Sequence, residues 1–331
     1  MTAKTTPADE QSHLRRGYFF MLLLALQFGL QPVFTKEFVD KDVDKAVFVL
    51  ALEALKFTLG LVILITSGSL RAEAARWTLG SSLSCAALPA GIYAVQNVLI
   101  QIAYQNLSGL MFNLINQTKT LFAAGFVWFF LGRGQSAMQC VALSLLAAAT
   151  LVLTLSGSSA EEQAQNSFSM GVLPIVAASA LSGLASALCQ RATQAVGGGA
   201  GRNATVFSME LAVYSGLSLV AALATSGRLV PLLQNGALAA WTPGTLIPLS
   251  TQAFGGMVIG QVTKYAGSVR KGFAVCFGIV VTAFAQNVVY GSALLPKHVV
   301  GLVLVVASVW LHASFPLKKA PAPAEKAKKA Q

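Results

Sequence analysis

Residues 91–134 read GIYAVQNVLIQIAYQNLSGLMFNLINQTKTLFAAGFVWFFLGRG. Between Gly91 and Leu131 the only charged side chain is Lys119. Two apolar runs meet there at an Asn106-Leu107 corner, each close to the roughly 20 residues that a bilayer-crossing helix needs. The stretch therefore reads as two membrane helices joined by a tight turn. The same pattern recurs along the chain. Candidate spans fall at 18–36, 46–67, 83–104, 108–131, 138–156, 170–190, 204–226, 244–264, 271–290 and 296–316. Gly, Thr and Pro interrupt the seventh and eighth. Spans of this length consume most of the chain and leave no room for a separate soluble domain. The expectation is an all-α membrane protein with ten transmembrane helices over 18–316, in halves of about 18–156 and 170–316.

Composition excludes the alternatives. Of 331 residues, 55% are hydrophobic and 11% charged, against about 25% charged in soluble proteins. A soluble enzyme of this size needs a solvated charged shell that these residues cannot supply. The net charge of +11 does not point to nucleic acid, because the basic residues sit in short connections and in the tail. There they report orientation. Lys36, Lys41, Lys45, Arg228 and Lys297 fall on one predicted face. Lys4, Arg15, Arg16, Arg71, Arg76, Arg133, Arg191, Arg202, Lys264, Arg270, Lys271 and the tail lysines fall on the other. The bias predicts that both termini are cytosolic. Residues 1–17 are polar and lack a cleavable-signal pattern, so the first span is expected to stay as an uncleaved anchor. Cys85, Cys140, Cys189 and Cys276 lie in or beside apolar runs, without metal-ligand spacing or a disulfide framework. His13, His298 and His312 are scattered. Neither a metal nor a cofactor is expected, and no nucleophile or carboxylate pair points to an enzyme.

The informative residues are charges inside spans. An ionisable side chain at mid-bilayer costs about 2.5–3.5 kcal/mol on insertion scales, and such residues face a bundle interior or a watery cavity. Four qualify: Glu53, Lys56, Lys119 and Glu210, with Lys271 at the edge of the ninth span. Glu53 and Lys56, at i and i+3, share a helix face and read either as a structural ion pair or as a gating or substrate element. Lys119 is surrounded by Asn113, Asn116, Gln117 and Thr118, with no acid within four residues. It needs an anion from elsewhere, either a distant Glu53 or Glu210 or a ligand. Lys271 comes nearly half the chain later and holds the matching place if the spans form two five-helix halves. Its other reading is an orientation anchor beside Arg270. Inverted repeats place a substrate site at the repeat interface, and two lysines there suit a phosphate or diphosphate as point charges. Tyr93, Gln96 and Asn97 in the third span and Phe112 in the fourth offer amides and rings for a base. Glu210 and Tyr214 lie one helical turn apart in the seventh. Gly255, Gly256 and Gly260 in the eighth read as close helix packing.

These residues resemble the nucleotide-sugar transporter family of the drug/metabolite transporter superfamily, in the group that handles CMP-sialic acid, UDP-galactose and UDP-N-acetylglucosamine. The first matching stretch runs Tyr93, Gln96, Asn97, then Asn106-Leu107, then Gln117 and Lys119, then Arg133. The second is VTKYAGSVRKGF, where Lys264, Tyr265, Lys271, Gly272 and Phe273 fit while Gly267 and Ser268 replace an Asp-Asn pair. Glu53 and Lys56 match a further Glu-x-x-Lys. The resemblance implies two inverted five-helix repeats and alternating access. It also implies exchange of a cytosolic pyrimidine nucleotide sugar for luminal CMP or UMP. Lys119 and Lys271 would bind phosphate, and Tyr93 and Asn97 would read the base. Phe112 stands where the sialic acid and galactose carriers typically have Tyr. Glu210-x-x-x-Tyr214 stands where the family shows Asn-x-x-x-Tyr, so a carboxylate there would repel sugar carboxylates, bind hydroxyls or pair with a lysine. The rival reading within the superfamily is a carrier of a phosphorylated sugar or an organic cation. A homodimer is compatible with either.

Residues 317–331 are rich in Pro, Ala and Lys, without apolar periodicity, and read as a disordered cytosolic tail. Lys328 and Lys329 stand at the positions of a dilysine retrieval signal, whose alternative is a solvated basic tail. Expected residence is the Golgi or endoplasmic reticulum membrane.

Overall fold

A computed structural model describes residues 7–107, 109–154, 168–194, 201–234, 236–291 and 295–317. The expected tail signal at Lys328 and Lys329 lies outside the described residues. Among those described, every regular element is helical. In chain order they are α1 (Pro7–Phe38), α2 (Lys45–Thr66), α3 (Leu70–Arg76), α4 (Leu79–Ser82), α5 (Leu88–Asn106), α6 (Gly109–Asn116), α7 (Thr118–Leu131) and α8 (Ala137–Thr154). After these come α9 (Leu173–Thr193), α10 (Ala204–Thr225), α11 (Leu229–Gln234), α12 (Leu246–Tyr265), α13 (Ser268–Tyr290) and α14 (Pro296–Ser314). The chain is an all-α membrane protein. Among the described residues, seven helical stretches are long and apolar enough to cross a membrane: Gln11–Phe38, Lys45–Thr66, Leu79–Ala103, Phe168–Thr193, Ala204–Thr225, Ser268–Tyr290 and Pro296–Ser314. Thr118–Leu131 and Ala137–Leu153 are shorter apolar helices.

The fourth expected span is interrupted at Gln117, between α6 and α7. The polar run from Asn113 to Thr118 explains the break. Such side chains compete for backbone groups, and the Thr118 hydroxyl donates to the Ile115 carbonyl at 2.6 Å. The eighth span forms α12, whose three glycines, two glutamines and Lys264 dilute its apolarity. Polar sequence does not stop α1, which extends through the first turns before Gly17.

Caps and breaks follow local chemistry. Asp44 caps α2 by accepting from the backbone N–H groups of Ala46 and Val47 at 2.8 and 3.2 Å. Single π-helical turns, Leu83–Ala87 and Phe168–Val172, precede the Leu-Pro steps that open α5 and α9. A wider turn there accommodates the proline ring and its missing donor.

The bundle has two ends. One, here the terminal face, gathers the start of α1, the α7–α8 turn, the α12–α13 junction and the end of α14. His13 meets Tyr265 edge-on with ring centroids 4.8 Å apart, and Gln139 donates to the His312 carbonyl at 3.2 Å. The opposite face holds Phe38, Trp241 and the Arg228–Asp44 ion pair. Helix α1 packs on α12 and α13, α9 on α5 and α7, and α2 on α10 and α12, while α8 pairs with α14 at the side. The largest buried cluster joins α1, α8, α12, α13 and α14 through Leu24, Leu146, Val262, Phe273 and Val305. Outward-facing Phe129, Trp310 and Val288 are largely exposed, as expected where hydrocarbon replaces water.

Candidate functional site

Within the bundle lies a cavity of about 670 Å³, lined by every long helix except the α8–α14 pair. Five sequence-predicted residues line it together from distant helices: Tyr93 and Asn97 on α5, Gln117 at the α6–α7 break, Lys119 on α7, and Lys271 on α13. Glu53 and Lys56 of α2 line it as well.

The two lysines reach the cavity through similar local structure. Lys119 is the second residue of α7, and Lys271 lies in the first turn of α13. Neither first turn contains an acid. A helix N-terminus carries partial positive charge, so a lysine there has the wrong sign for helix stability. Each placement opposes the helix dipole by about 0.3–1 kcal/mol, which an anion at the site would offset.

The described residues supply no such anion. Glu53 forms an ion pair with Lys56 at 2.5 Å and accepts from the Ser215 hydroxyl at 3.3 Å. Glu210 accepts from the Arg202 guanidinium through both oxygens, with the Nε contact at 2.6 Å, and from the Trp77 indole N–H at 2.7 Å. Both intramembrane carboxylates are thus occupied. Among the described residues, neither Lys119 nor Lys271 has a carboxylate within ion-pair distance. Lys271 instead donates to the Ser186 hydroxyl at 3.1 Å.

The remaining predicted residues sit elsewhere. Glu210 and Tyr214 do not line the cavity. Arg202 also donates to Ser81 at 2.7 Å, and the Tyr214 hydroxyl donates to Ser82 at 3.0 Å. The pair thus ties α10 to the start of the α4–α5 segment. Phe112 is buried with Ala103, Leu107, Ile175 and Ala178 where α5, α6 and α9 meet. Gln96 and Asn116 lie off the cavity lining. Asn113 is placed by its backbone on α6.

Small hydroxyls and amides of α9 and α13 complete the site and escape sequence reading. The Ser268 hydroxyl donates to the Ser186 carbonyl at 2.6 Å, and its backbone N–H donates to Gln190 Oε1 at 2.7 Å. Tyr93 and Ser186 share a hydroxyl contact at 3.4 Å. Gln194 donates across to the Thr263 and Lys264 carbonyls at 2.9 and 2.8 Å. These bonds fasten α9 to the α12–α13 junction on the terminal side of the cavity. The available signal was spacing: Ser182, Ser186 and Gln190 recur every four residues, on one helix face. Serines are common in membrane helices, so the stripe did not stand out.

Glycines set the approach of α12. A side chain at Gly256 would strike the Lys56 stem, and one at Gly260 would strike Ser208 and the Ala204 carbonyl. Gly267 has φ +87° and ψ 167°, a region open essentially to glycine alone. This turn aims the Ser268 N–H at Gln190.

The sequence model described as "Nucleotide-sugar transporter" matches residues 20–313. The chain is 36% identical over 302 residues to a UDP-N-acetylglucosamine transporter of Arabidopsis thaliana, covering 90% of this chain and 92% of that one. A UDP-galactose translocator of Mus musculus is 28% identical over 229 residues, 68% of this chain and 57% of that protein, so the match spans little more than half of it. A UDP-N-acetylglucosamine transporter of Mus musculus is 26% identical over 237 residues, 70% of this chain and 71% of that one. One solved crystal structure superposes with a TM-score of 0.67 at 14% identity, covering 94% of this chain and 100% of that one, a likeness of fold alone.

Proposed function

Since the chain belongs to the nucleotide-sugar transporter family, we propose that it carries a UDP-sugar, UDP-N-acetylglucosamine foremost, in exchange for UMP. One observation carries the reading: Lys119 and Lys271 face one cavity as cations without an ion-pair partner among the described residues, while Glu53 is held by Lys56 and Glu210 by Arg202. Two fixed cations at two helix N-termini match the charge of a diphosphate. An organic-cation carrier would need free carboxylates instead. Tyr93, Asn97 and Gln117 lie within the same cavity to meet the base and ribose. The volume of about 670 Å³ falls in the usual range for a ligand of this size, roughly 300–1,000 Å³. CMP-sialic acid is the second reading, but the relatives above are named for UDP-sugars.

Exchange follows from electrostatics. Two bare ammonium groups in a membrane cavity are costly without a counter-ion, so a carrier that returns with UMP avoids the empty state. The helix pairing supports ten spans in two related halves. The packing of α1 on α13 and α12 is answered by that of α9 on α7 and α5, and α2 on α12 is answered by α10 on α5. Under the same correspondence α2–α10 and α8–α14 are self-paired, and Lys119 matches Lys271. Alternating access then moves the halves about the cavity. The charge bias supports a cytosolic terminal face, and the membrane in this reading is that of the endoplasmic reticulum or Golgi.

Reconstitution tests this reading. Liposomes preloaded with UMP take up labelled UDP-N-acetylglucosamine faster than empty ones, and more readily than CMP-sialic acid or GDP-sugars. Uptake that ignores preloading, or that persists in the Lys119→Ala/Lys271→Ala double variant, overturns it.

A further inference from the structure

A second cavity, of about 690 Å³, opens at the terminal face. Arg133, Lys264 and Arg270 converge on it, with His13 and His312 at its sides and no Asp or Glu among the described residues that line it. The Arg133 guanidinium donates to Gln194, and none of the three cations forms an ion pair among the described residues. Tyr265 supplies an aromatic ring beside Lys264, whose Nζ stands 5.5 Å from the ring centroid. Charge that serves only to set orientation needs to be in loops on one side. It does not need to surround a concavity.

The basin adjoins the central cavity. Ser268 lines both. The partition is the set of contacts in which Ser268 bonds Gln190, on the basin side, and the Ser186 carbonyl, on the central side. Lys271 holds the Ser186 hydroxyl from within the central cavity. A ligand leaving the basin through this partition would meet Lys271 first.

We propose that the basin is a second anion-binding site, which holds the diphosphate of the substrate nucleotide while the Ser186–Gln190–Ser268 partition is closed. The proposal rests on reading the central cavity as a nucleotide-sugar site, and it adds a separate station with its own cations. Cations focused in a low-dielectric recess concentrate anions and act at a range set by ionic strength.

The test uses the full chain in phosphatidylcholine nanodiscs, with Cys85 and Cys140 changed to serine and Gln135→Cys as reporter in the basin wall. The rate of its reaction with a water-soluble maleimide is read with and without inorganic pyrophosphate. Pyrophosphate is expected to slow labelling several-fold, equally in the Lys119→Ala/Lys271→Ala background. The protection fades as sodium chloride is raised, is lost in Lys264→Gln/Arg270→Gln, and is kept in Arg270→Lys. Protection that disappears with the central lysines, or survives removal of the basin cations, overturns the second site. Nanodiscs containing phosphatidylserine separate the two sources of phosphate. If that lipid alone protects and pyrophosphate adds nothing, the basin holds a lipid headgroup and the proposal fails. The central reading is judged separately, by whether UMP raises the melting temperature in a manner dependent on Lys119 and Lys271.

Discussion

Lys119 and Lys271 differ from Glu210 in what surrounds them, and their variants should differ accordingly. Each lysine is an open cation in the cavity. Removing a charge-assisted contact costs about 1.5–3 kcal/mol, or roughly 10- to 100-fold in affinity. Lys119→Ala and Lys271→Ala should therefore each weaken UMP binding by that factor, as read by titration of thermal stabilisation, with little loss of stability in the unliganded protein. Glu210→Gln should behave in the opposite way. The carboxylate neutralises Arg202, and both side chains are mostly buried. Leaving a buried charge unpaired costs about 3–5 kcal/mol, and the residual exposure of Arg202 favours the lower end. The unliganded melting temperature should fall while affinity for UMP stays near that of the parent. Lys119 was legible because a lone charge in an apolar run has few explanations. The role of Glu210 was not, because Arg202 and Trp77 come from other segments.

At the scale of the element, helix ends decide the site. Helix α7 restarts at Thr118 and α13 starts at Ser268, and these starts bring Lys119 and Lys271 to the cavity. The interruption in the fourth span could be anticipated only as a polar patch, since helical propensity across Asn113–Thr118 is weak but not prohibitive. The α12–α13 junction depends on Gly267. Alanine at that position must leave the backbone region observed, at a cost of order 1–3 kcal/mol, and its Cβ would press on the Gln190 amide. Gly267→Ala should lower the melting temperature and loosen the Ser268–Gln190 bond. Faster amide hydrogen exchange at Ser268 is the measurement that checks the second effect.

Across the whole molecule, the central cavity and the terminal basin are separated by bonds between α9 and α13. Weakening them should shift the population toward forms open at the terminal face, because a change in one state's contacts moves the equilibrium by that amount. In sealed liposomes, a cysteine at Ser182 in the central cavity should react faster with an impermeant reagent applied at the terminal face once Gln190→Leu is present. An unchanged rate would remove the partition from the gating path. Neither Ser186 nor Gln190 could be read in this role from the chain, because their partners lie about 80 positions away on a helix that meets α9 only after folding.

The sequence by itself determined the solvent, the helices and the charges worth attention. Apolar run length and scarcity of charge are local properties, and a lysine without a nearby acid is visible wherever it occurs. Tertiary structure decided which charges remain free. Glu53 kept its partner on the same helix turn, as the i,i+3 spacing permitted, whereas Glu210 was claimed by Arg202 from outside its helix. That outcome left Lys119 and Lys271 facing a shared cavity without a counter-ion among the described residues. Arg202 lies eight residues before Glu210, in the connection that precedes α10, and how that connection folds back onto the helix is set only in the packed bundle.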